Sequence, residues 1–307
     1  MFKNKKEKIF DFANSIGIES IGVCDAEFDE KLFSLLTARR VNGGESDFTH
    51  KDLILRSTPK NVLEGAKSVV VCLFPYYKKD FKEKNISRYA TVTDYHKVAI
   101  LKLNMIAEYI ESEIEKCNCL CFSDTGVLPD RYLAYKAGLG FFGKNNCLIN
   151  KKYGSFFFIG YIVTTCLLEP DYPLDETCLN CGACMESCPG GAIKENFVFS
   201  PQKCVSNITQ LKEIDSAQKE ILSKQNSVYG CDICQNVCPH NQGLKDTFMK
   251  EFAENKISGL DYENLKEMSN NEFKRKYKNF AFSWRGKDVI LKNFIGGTYV
   301  KQRKNNG

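Results

Sequence analysis

The chain has 307 residues, room for two domains at ~100–200 residues each, with 43% hydrophobic and 26% charged residues, which excludes an intrinsically disordered protein. Lys and Arg number 43 against 38 Asp and Glu, and the net charge of +5 permits an anionic partner without demanding one. The outlier is cysteine: 15 residues, an odd number, many of them crowded between Cys178 and Cys238. The amino terminus, MFKNKKEKIFDF, offers no apolar run for a signal peptide. The longest apolar stretch, Ser155 to Leu168, is about 14 residues and falls short of the ~18–20 that span a bilayer. The expectation is a soluble, cytoplasmic protein without membrane association, whose thiols bind metal in a reducing compartment. That excludes a disulfide scaffold, and a monomer is adequate at this size.

In chain order, residues 5–16 place Ile9, Phe10, Ala13 and Ile16 on one helical face, with Gly17 as the stop. Ser20 to Cys24 reads as a short strand, and Phe28 to Arg39 as a helix broken by Asn42-Gly43-Gly44. Ser68 to Phe74, SVVVCLF, predicts a buried strand ended by Pro75. Tyr95 to Lys116 is the clearest long helix, with Val98, Leu101, Met105 and Tyr109 at helical spacing. Cys119 to Ser123 predicts a strand that delivers Asp124 and the turn Thr125-Gly126 at its end. Asp130 to Ala137 follows as a short helix, stopped by Gly138 and Gly140. Cys147 to Asn150 and Ser155 to Thr164 are expected to pair as a hairpin across Lys151-Lys152-Tyr153-Gly154. This alternation predicts an α+β domain over residues 1–170. Composition shifts at Glu169-Pro170-Asp171-Tyr172-Pro173; residues 171–245 are organised by cysteine, and 246–307 form a polar, partly helical, basic extension.

The run Cys178-Leu-Asn-Cys181-Gly-Ala-Cys184-Met-Glu-Ser-Cys188-Pro189 has the spacing of bacterial ferredoxins, in which three thiolates hold one [4Fe–4S] cube and the fourth reaches its neighbour. Cys231, Cys234 and Cys238-Pro239 form a second set lacking one ligand, which Cys204 supplies. The crossing rule assigns Cys178, Cys181, Cys184 and Cys238 to cluster one, and Cys204, Cys231, Cys234 and Cys188 to cluster two. A zinc site fits less well, because zinc favours two C-x2-C pairs and has no use for the third cysteine or the Cys-Pro. Cys24, Cys72, Cys119 and Cys121 fall on strands and read as small core residues; Cys117, Cys147 and Cys166 have no partner spacing. His50, His96 and His240 stand apart from one another, and neither a Rossmann fingerprint nor a Walker motif occurs.

Outside the cysteines, polar residues gather at turns. Asp124 at a strand end is either a general acid or a turn-forming residue, and Arg88, Tyr95 and His96 either line a site or cap the long helix. The stretch Gly138-Leu-Gly140-Phe-Phe-Gly143-Lys144-Asn145-Asn146 allows close backbone approach to a large ligand. Lys78-Lys79, Lys274-Arg275-Lys276 and Lys301 to Lys304, with Tyr76, Tyr77, Phe273 and Tyr277 interleaved, are candidates for phosphate contact.

Arg88 to Val98 (RYATVTDYHKV), Ser123 to Ile149, Tyr153 to Thr165, both cysteine sets and Ser283 to Lys287 (SWRGK) together resemble the epoxyqueuosine reductases over nearly the whole chain. That resemblance implies a cobalamin-dependent enzyme that completes queuosine synthesis in tRNA, built as a cobalamin-binding α/β sandwich followed by a ferredoxin-like domain. It implies Asp124 as proton donor and Arg56, Ser87, Lys144, Asn145, Leu148, Ser206, Cys231 and Asp232 around the corrinoid. Tyr95, His96, Gln210 and Lys212 are implied near cofactor or tRNA, Ser87 standing where some members carry a cysteine. The expected partners are a tRNA with a GUN anticodon carrying epoxyqueuosine and a low-potential electron donor, and no histidine sits in a motif for the lower axial position of the cobalamin. Some members continue into helical repeats that grip tRNA, and this sequence stops at Gly307. Competing readings are a reductive dehalogenase, expected to be longer and exported, and a dicluster electron carrier, which has no need of the first domain.

Overall fold

The strand Ser68–Pro75 is apolar almost without interruption, and such a run is stable only where both faces of a sheet are covered. The computed structural model, which describes residues 4–81, 84–253 and 257–295, covers both. Its strands are β1 (Ile21–Asp25), β2 (Ser68–Pro75), β3 (Cys119–Phe122), β4 (Phe141–Phe142), β5 (Leu148–Ile149) and β6 (Phe157–Thr164). The main sheet runs β1-β2-β6-β3, antiparallel throughout, and every residue of β2 is buried. Helices α1 (Lys5–Ser15), α2 (Glu30–Val41), α3 (Leu53–Ser57), α4 (Tyr95–Tyr109) and α5 (Asp130–Lys136) complete this part.

Alternation along β2 divides the core in two. Val70, Cys72 and Phe74 pack with Ile9 and Ala13 of α1 and with Ala99, Leu103 and Ile106 of α4. Val69, Val71 and Leu73 face the other way, against Leu133 and Ala134 of α5 and Tyr161 of β6. The result is a mixed α/β sandwich.

Local chemistry explains the element ends. Asn4 and Glu7 form a reciprocal capping box at the start of α1. The Asp94 carboxylate accepts the His96 backbone N–H at 3.2 Å, which starts α4. α4 passes into one π-helical turn, Ile110–Ile114, and so stops short of the expected Lys116. The expected hairpin is not formed. Leu148–Ile149 pairs with Phe141–Phe142 instead, while β6 crosses to lie between β2 and β3; only the bridge Asn150–Gly154 marks the turn. Cys24 and Cys72 are buried, but Cys119 and Cys121 are only partly so, because β3 is an edge strand that also leaves Leu120 40% exposed.

Beyond Thr164 the chain forms short helices around the cysteines, at Ala183–Glu186, Val205–Ile208 and Ile233–Asn236. Residues 257–295 then return to the first part. Phe273, Tyr277, Phe282 and Ile290 bury against Ile86, Ala90, Val228 and Tyr229, and the Asn85 amide exchanges hydrogen bonds of 2.7 and 2.8 Å with Leu260. The helix Asn270–Tyr277 buries Phe273 and Tyr277 and exposes Lys274, Arg275 and Lys276, so its aromatics serve the core. Lys301 to Lys304 lie outside the described residues. Among those described, no helix is long and apolar enough to cross a membrane.

Candidate active site and iron–sulfur cradle

β3 ends at Phe122, and two residues later Asp124 adopts φ +58°, a left-handed conformation that costs a residue other than glycine ~1–2 kcal/mol. Its backbone N–H donates to Asp130 Oδ2 at 3.1 Å, pinning the turn to the first residue of α5. The Asp124 side chain is 66% exposed, and two groups buttress its Oδ2. The Tyr95 hydroxyl donates to it at 2.6 Å, and His96 Nε2 lies 3.6 Å away. His96 Nδ1 in turn meets Asp94 Oδ1 at 2.7 Å. Burial opposes the imidazolium, but hydrogen bonds to Asp124 and Asp94 outweigh it and push His96 up to about 9. Desolvation, followed by the charge of Asp124, pushes the Asp130 carboxyl up to about 7.

Tyr95 stacks on Phe158 with centroids 4.0 Å apart, which fixes its hydroxyl. From it a row of rings leads away: Tyr89 at 6.5 Å, then Tyr229 at 6.1 Å from Tyr89. The Tyr229 hydroxyl donates to Gln210 Oε1 at 3.4 Å, and Gln210 Nε2 donates to the Ser206 carbonyl at 3.0 Å. Arg88 is no helix cap: it is buried, with its guanidinium 5.0 Å from the Tyr77 and Phe81 rings.

The first part of the chain and the cysteine segment meet at several buried places, among them Ser155 with Asn241 and the stretch Ile86–Arg88 with Tyr229 and Asp232. Ile86 bridges Tyr229 in parallel, and the Ser87 N–H donates to the Tyr229 carbonyl at 2.8 Å. The Ser87 hydroxyl and the Arg88 N–H both donate to the buried Asp232 carboxylate, beside Cys231. Gly230 has φ +71°, and a Cβ there would stand 2.4 Å from that of Ser87, so only glycine permits this approach.

Cys178, Cys181, Cys184 and Cys238 line a single cavity, together with Gly143, Lys144 and Asn145. Lys144 is buried there and pairs with Glu195 at 2.7 Å; Asn145 Nδ2 donates to the Cys234 carbonyl at 3.5 Å. Cys204 neighbours Cys188, and Cys231 neighbours both. Cys147, for which the spacing gave no partner, touches Cys234. Among the described residues no three His, Cys, Asp or Glu side chains converge as a single metal ion requires.

Other predicted residues lie apart. Arg56 pairs with Glu45 at 3.8 Å, Lys212 is exposed, and the Leu148 side chain is buried in the core beneath β5. Sequence reasoning missed Tyr89 and Tyr229 as neighbours of Asp124, and the two carboxylates, Asp94 and Asp130, that tune the site. The only local signal was Tyr229-Gly230 directly before Cys231.

A family model described as "Epoxyqueuosine reductase QueG, DUF1730" matches residues 56–125, and one described as "4Fe-4S double cluster binding domain" matches residues 177–241. The epoxyqueuosine reductase of Staphylococcus aureus is 36% identical over 304 residues, covering 95% of this chain and 79% of the relative. The chain belongs to the epoxyqueuosine reductase family. It is an oxidoreductase with a double-cluster 4Fe–4S domain, as its motifs implied. The epoxyqueuosine reductase of Bacillus subtilis is 34% identical, over 94% of this chain and 78% of its own. Among solved structures, an epoxyqueuosine reductase bound to an epoxyqueuosine-modified tRNA-Tyr stem loop superposes with a TM-score of 0.86 at 33% identity, over 94% of this chain and 79% of that one. The reductive dehalogenase NpRdhA is 14% identical with a TM-score of 0.53, over 94% of this chain and 37% of that one; this likeness extends to the fold alone.

Proposed function

We propose that the chain reduces epoxyqueuosine to queuosine in the anticodon loop of a tRNA with a GUN anticodon, using cobalamin and two [4Fe–4S] clusters fed by a low-potential donor. The observation that carries this reading is the exposed Asp124 carboxylate, buttressed by Tyr95 and His96, at the head of an aromatic row that ends beside the cysteine loop. The residues along that row fit a corrinoid. Tyr89 and Tyr229 are packed into the core and back the site, while the partly exposed Gln210 and Ser206 supply the amide and hydroxyl groups that amide-bearing corrin side chains need. Gln210 and Ser206 would hold the group, together with Lys144, Asn145 and the Cys231-Asp232 turn. When bound, cobalamin would supply strongly reducing chemistry at a carbon atom, and clusters held by the two cysteine sets would supply electrons one at a time.

The chain's own residues manage binding and protons. Opening the epoxide and releasing its oxygen as water takes two electrons and two protons, and leaves a carbon–carbon double bond. Asp124 gives a proton to the opening oxygen. The Tyr95 hydroxyl holds Oδ2 in place, and the His96 imidazolium, kept charged by Asp94, stands next to the same oxygen to supply the second proton. Ser87 contributes no thiol, and its hydroxyl is committed to Asp232. Arg56 steadies the loop that carries Glu45, and the exposed Lys212 meets the RNA backbone.

The test is anaerobic turnover of tRNA bearing epoxyqueuosine with a strong reductant, with and without cobalamin, reading nucleosides by mass for loss of one oxygen. Conversion that requires cobalamin, and is abolished in Asp124→Asn while both clusters remain, is the expected result. Substantial turnover by Asp124→Asn removes it from the donor role.

A further inference from the structure

Trp284 is the only tryptophan in the chain and is 56% exposed, an uncommon position for so large an apolar ring. It is nonetheless held firmly. Its Nε1–H donates to the Tyr229 hydroxyl at 3.0 Å, the Arg285 guanidinium lies 4.4 Å from its ring, and the Phe48 ring meets it edge-on at 5.9 Å. Arg285 also lies 5.5 Å from the Phe48 ring and so occupies the angle between the two. Three remote segments converge here: the loop between α2 and α3, the turn Ala281–Arg285, and the chain entering Cys231. Tyr229 is the far end of the aromatic row, and the charge of Asp124 is felt at its hydroxyl. The surroundings are basic. Burial and the nearby Arg285 push Lys292 down to about 8, and among the described residues neither cation has an acidic partner within ion-pair distance.

We propose that Trp284, backed by Arg285 and flanked by Phe48, is a stacking platform for the nucleobase next to the modified nucleotide; this rests on the function proposed above. To reach Asp124 the modified base must leave its stack, and the neighbouring base then loses a partner. An exposed indole fixed at the surface beyond the far end of the aromatic row replaces that partner whatever the base, because every base has a π-face. The guanidinium behind the indole strengthens the stack, and Arg285 and Lys292 stand ready for the adjoining phosphates. A purely structural tryptophan would bury its ring. This one buries the nitrogen edge against Tyr229 and leaves most of the indole open.

The test uses the cluster-loaded chain, saturated with cobalamin, and anticodon stem loops that are intact or carry one abasic site on either side of the modified nucleotide. Binding is read by anisotropy of a labelled RNA and, separately, by tryptophan emission corrected for absorbance, which reports Trp284 alone. Intact RNA is expected to quench the emission. Trp284→Ala should weaken binding and raise KM ~5- to ~100-fold, with kcat at saturating RNA within ~3-fold of wild type, while Trp284→Phe, which has no tryptophan emission to read, stays within ~3-fold in affinity by anisotropy, KM and kcat. One abasic RNA should bind wild type as weakly as Trp284→Ala binds intact RNA, with no further loss when variant and abasic site are combined. Unchanged emission at saturating RNA, unaltered affinity of Trp284→Ala, or additive losses in the combination would each overturn the platform. Quenching by cobalamin alone that RNA leaves unchanged would give the ring to the corrinoid instead. Absence of anisotropy change with wild type and intact RNA would sink the proposed function itself, and the platform with it.

Discussion

Replacing Asp94 by Asn removes a charge from the site while keeping a side chain that caps α4 about as well. His96 is raised from 6.5 to about 9, a gap worth ~3.4 kcal/mol at ~1.4 kcal/mol per pH unit. Asp124 and Asp94 share that stabilisation, and with the ring 31% exposed solvent screens part of it, leaving about 1 kcal/mol for Asp94. The sign follows from linkage: a raised folded pKa stabilises fully below about 6.5, and the contribution is lost as pH rises through about 9. Asp94→Asn is therefore expected to cost about 1 kcal/mol at pH 6 and nearly nothing at pH 10, read as the difference in denaturation midpoints at the two values. The same substitution should draw the alkaline limb of the pH–rate profile down from about 9 by roughly one pH unit, measured under saturating RNA and reductant. A destabilisation equal at both pH values would refute the reasoning, as would an alkaline limb that coincides with wild type.

Two further substitutions test the junction and the clusters. Gly230→Ala must fit a methyl group 2.4 Å from the Ser87 Cβ at φ +71°, and is expected to lower stability by more than ~2 kcal/mol and reduce iron incorporation, read by thermal melting and iron content. Cys204→Ser should leave the cavity lined by Cys178, Cys181, Cys184 and Cys238 loaded and lose the other cluster, so that iron falls from about eight to about four per chain.

Much of this molecule is legible in its sequence because the signals are local. The apolar run at Ser68–Pro75 demands a covered central strand, and the cysteine spacing names its cofactor class. Asp124 was identifiable as a strand-end carboxylate, but its partners were only half visible: His96 and Tyr95 sit in one motif, while Tyr229 arrives from more than a hundred residues away. The failed hairpin has the same cause. Leu148–Ile149 and Phe157–Thr164 are neighbours in sequence, yet β6 gains far more by pairing along all eight residues of β2 than by closing a local turn. Ser283 to Lys287 stood out as a motif, but the convergence of Trp284 with Phe48 and Tyr229 was not legible, since nothing in any one segment predicts the other two.

The closure of residues 257–295 over Ile86, Ala90 and Tyr229 also sets an order of events during synthesis. The four-stranded sheet has all its partners once Thr164 has left the ribosome, and can form at that point. The apolar patch around Ile86 and Ala90 then waits, uncovered, for more than a hundred further residues to emerge. A nascent chain in that interval presents a folded sheet with an unfinished, adhesive wall. Such a surface is the kind that aggregates or is captured by a chaperone, and a chain cut before residue 257 leaves that wall open.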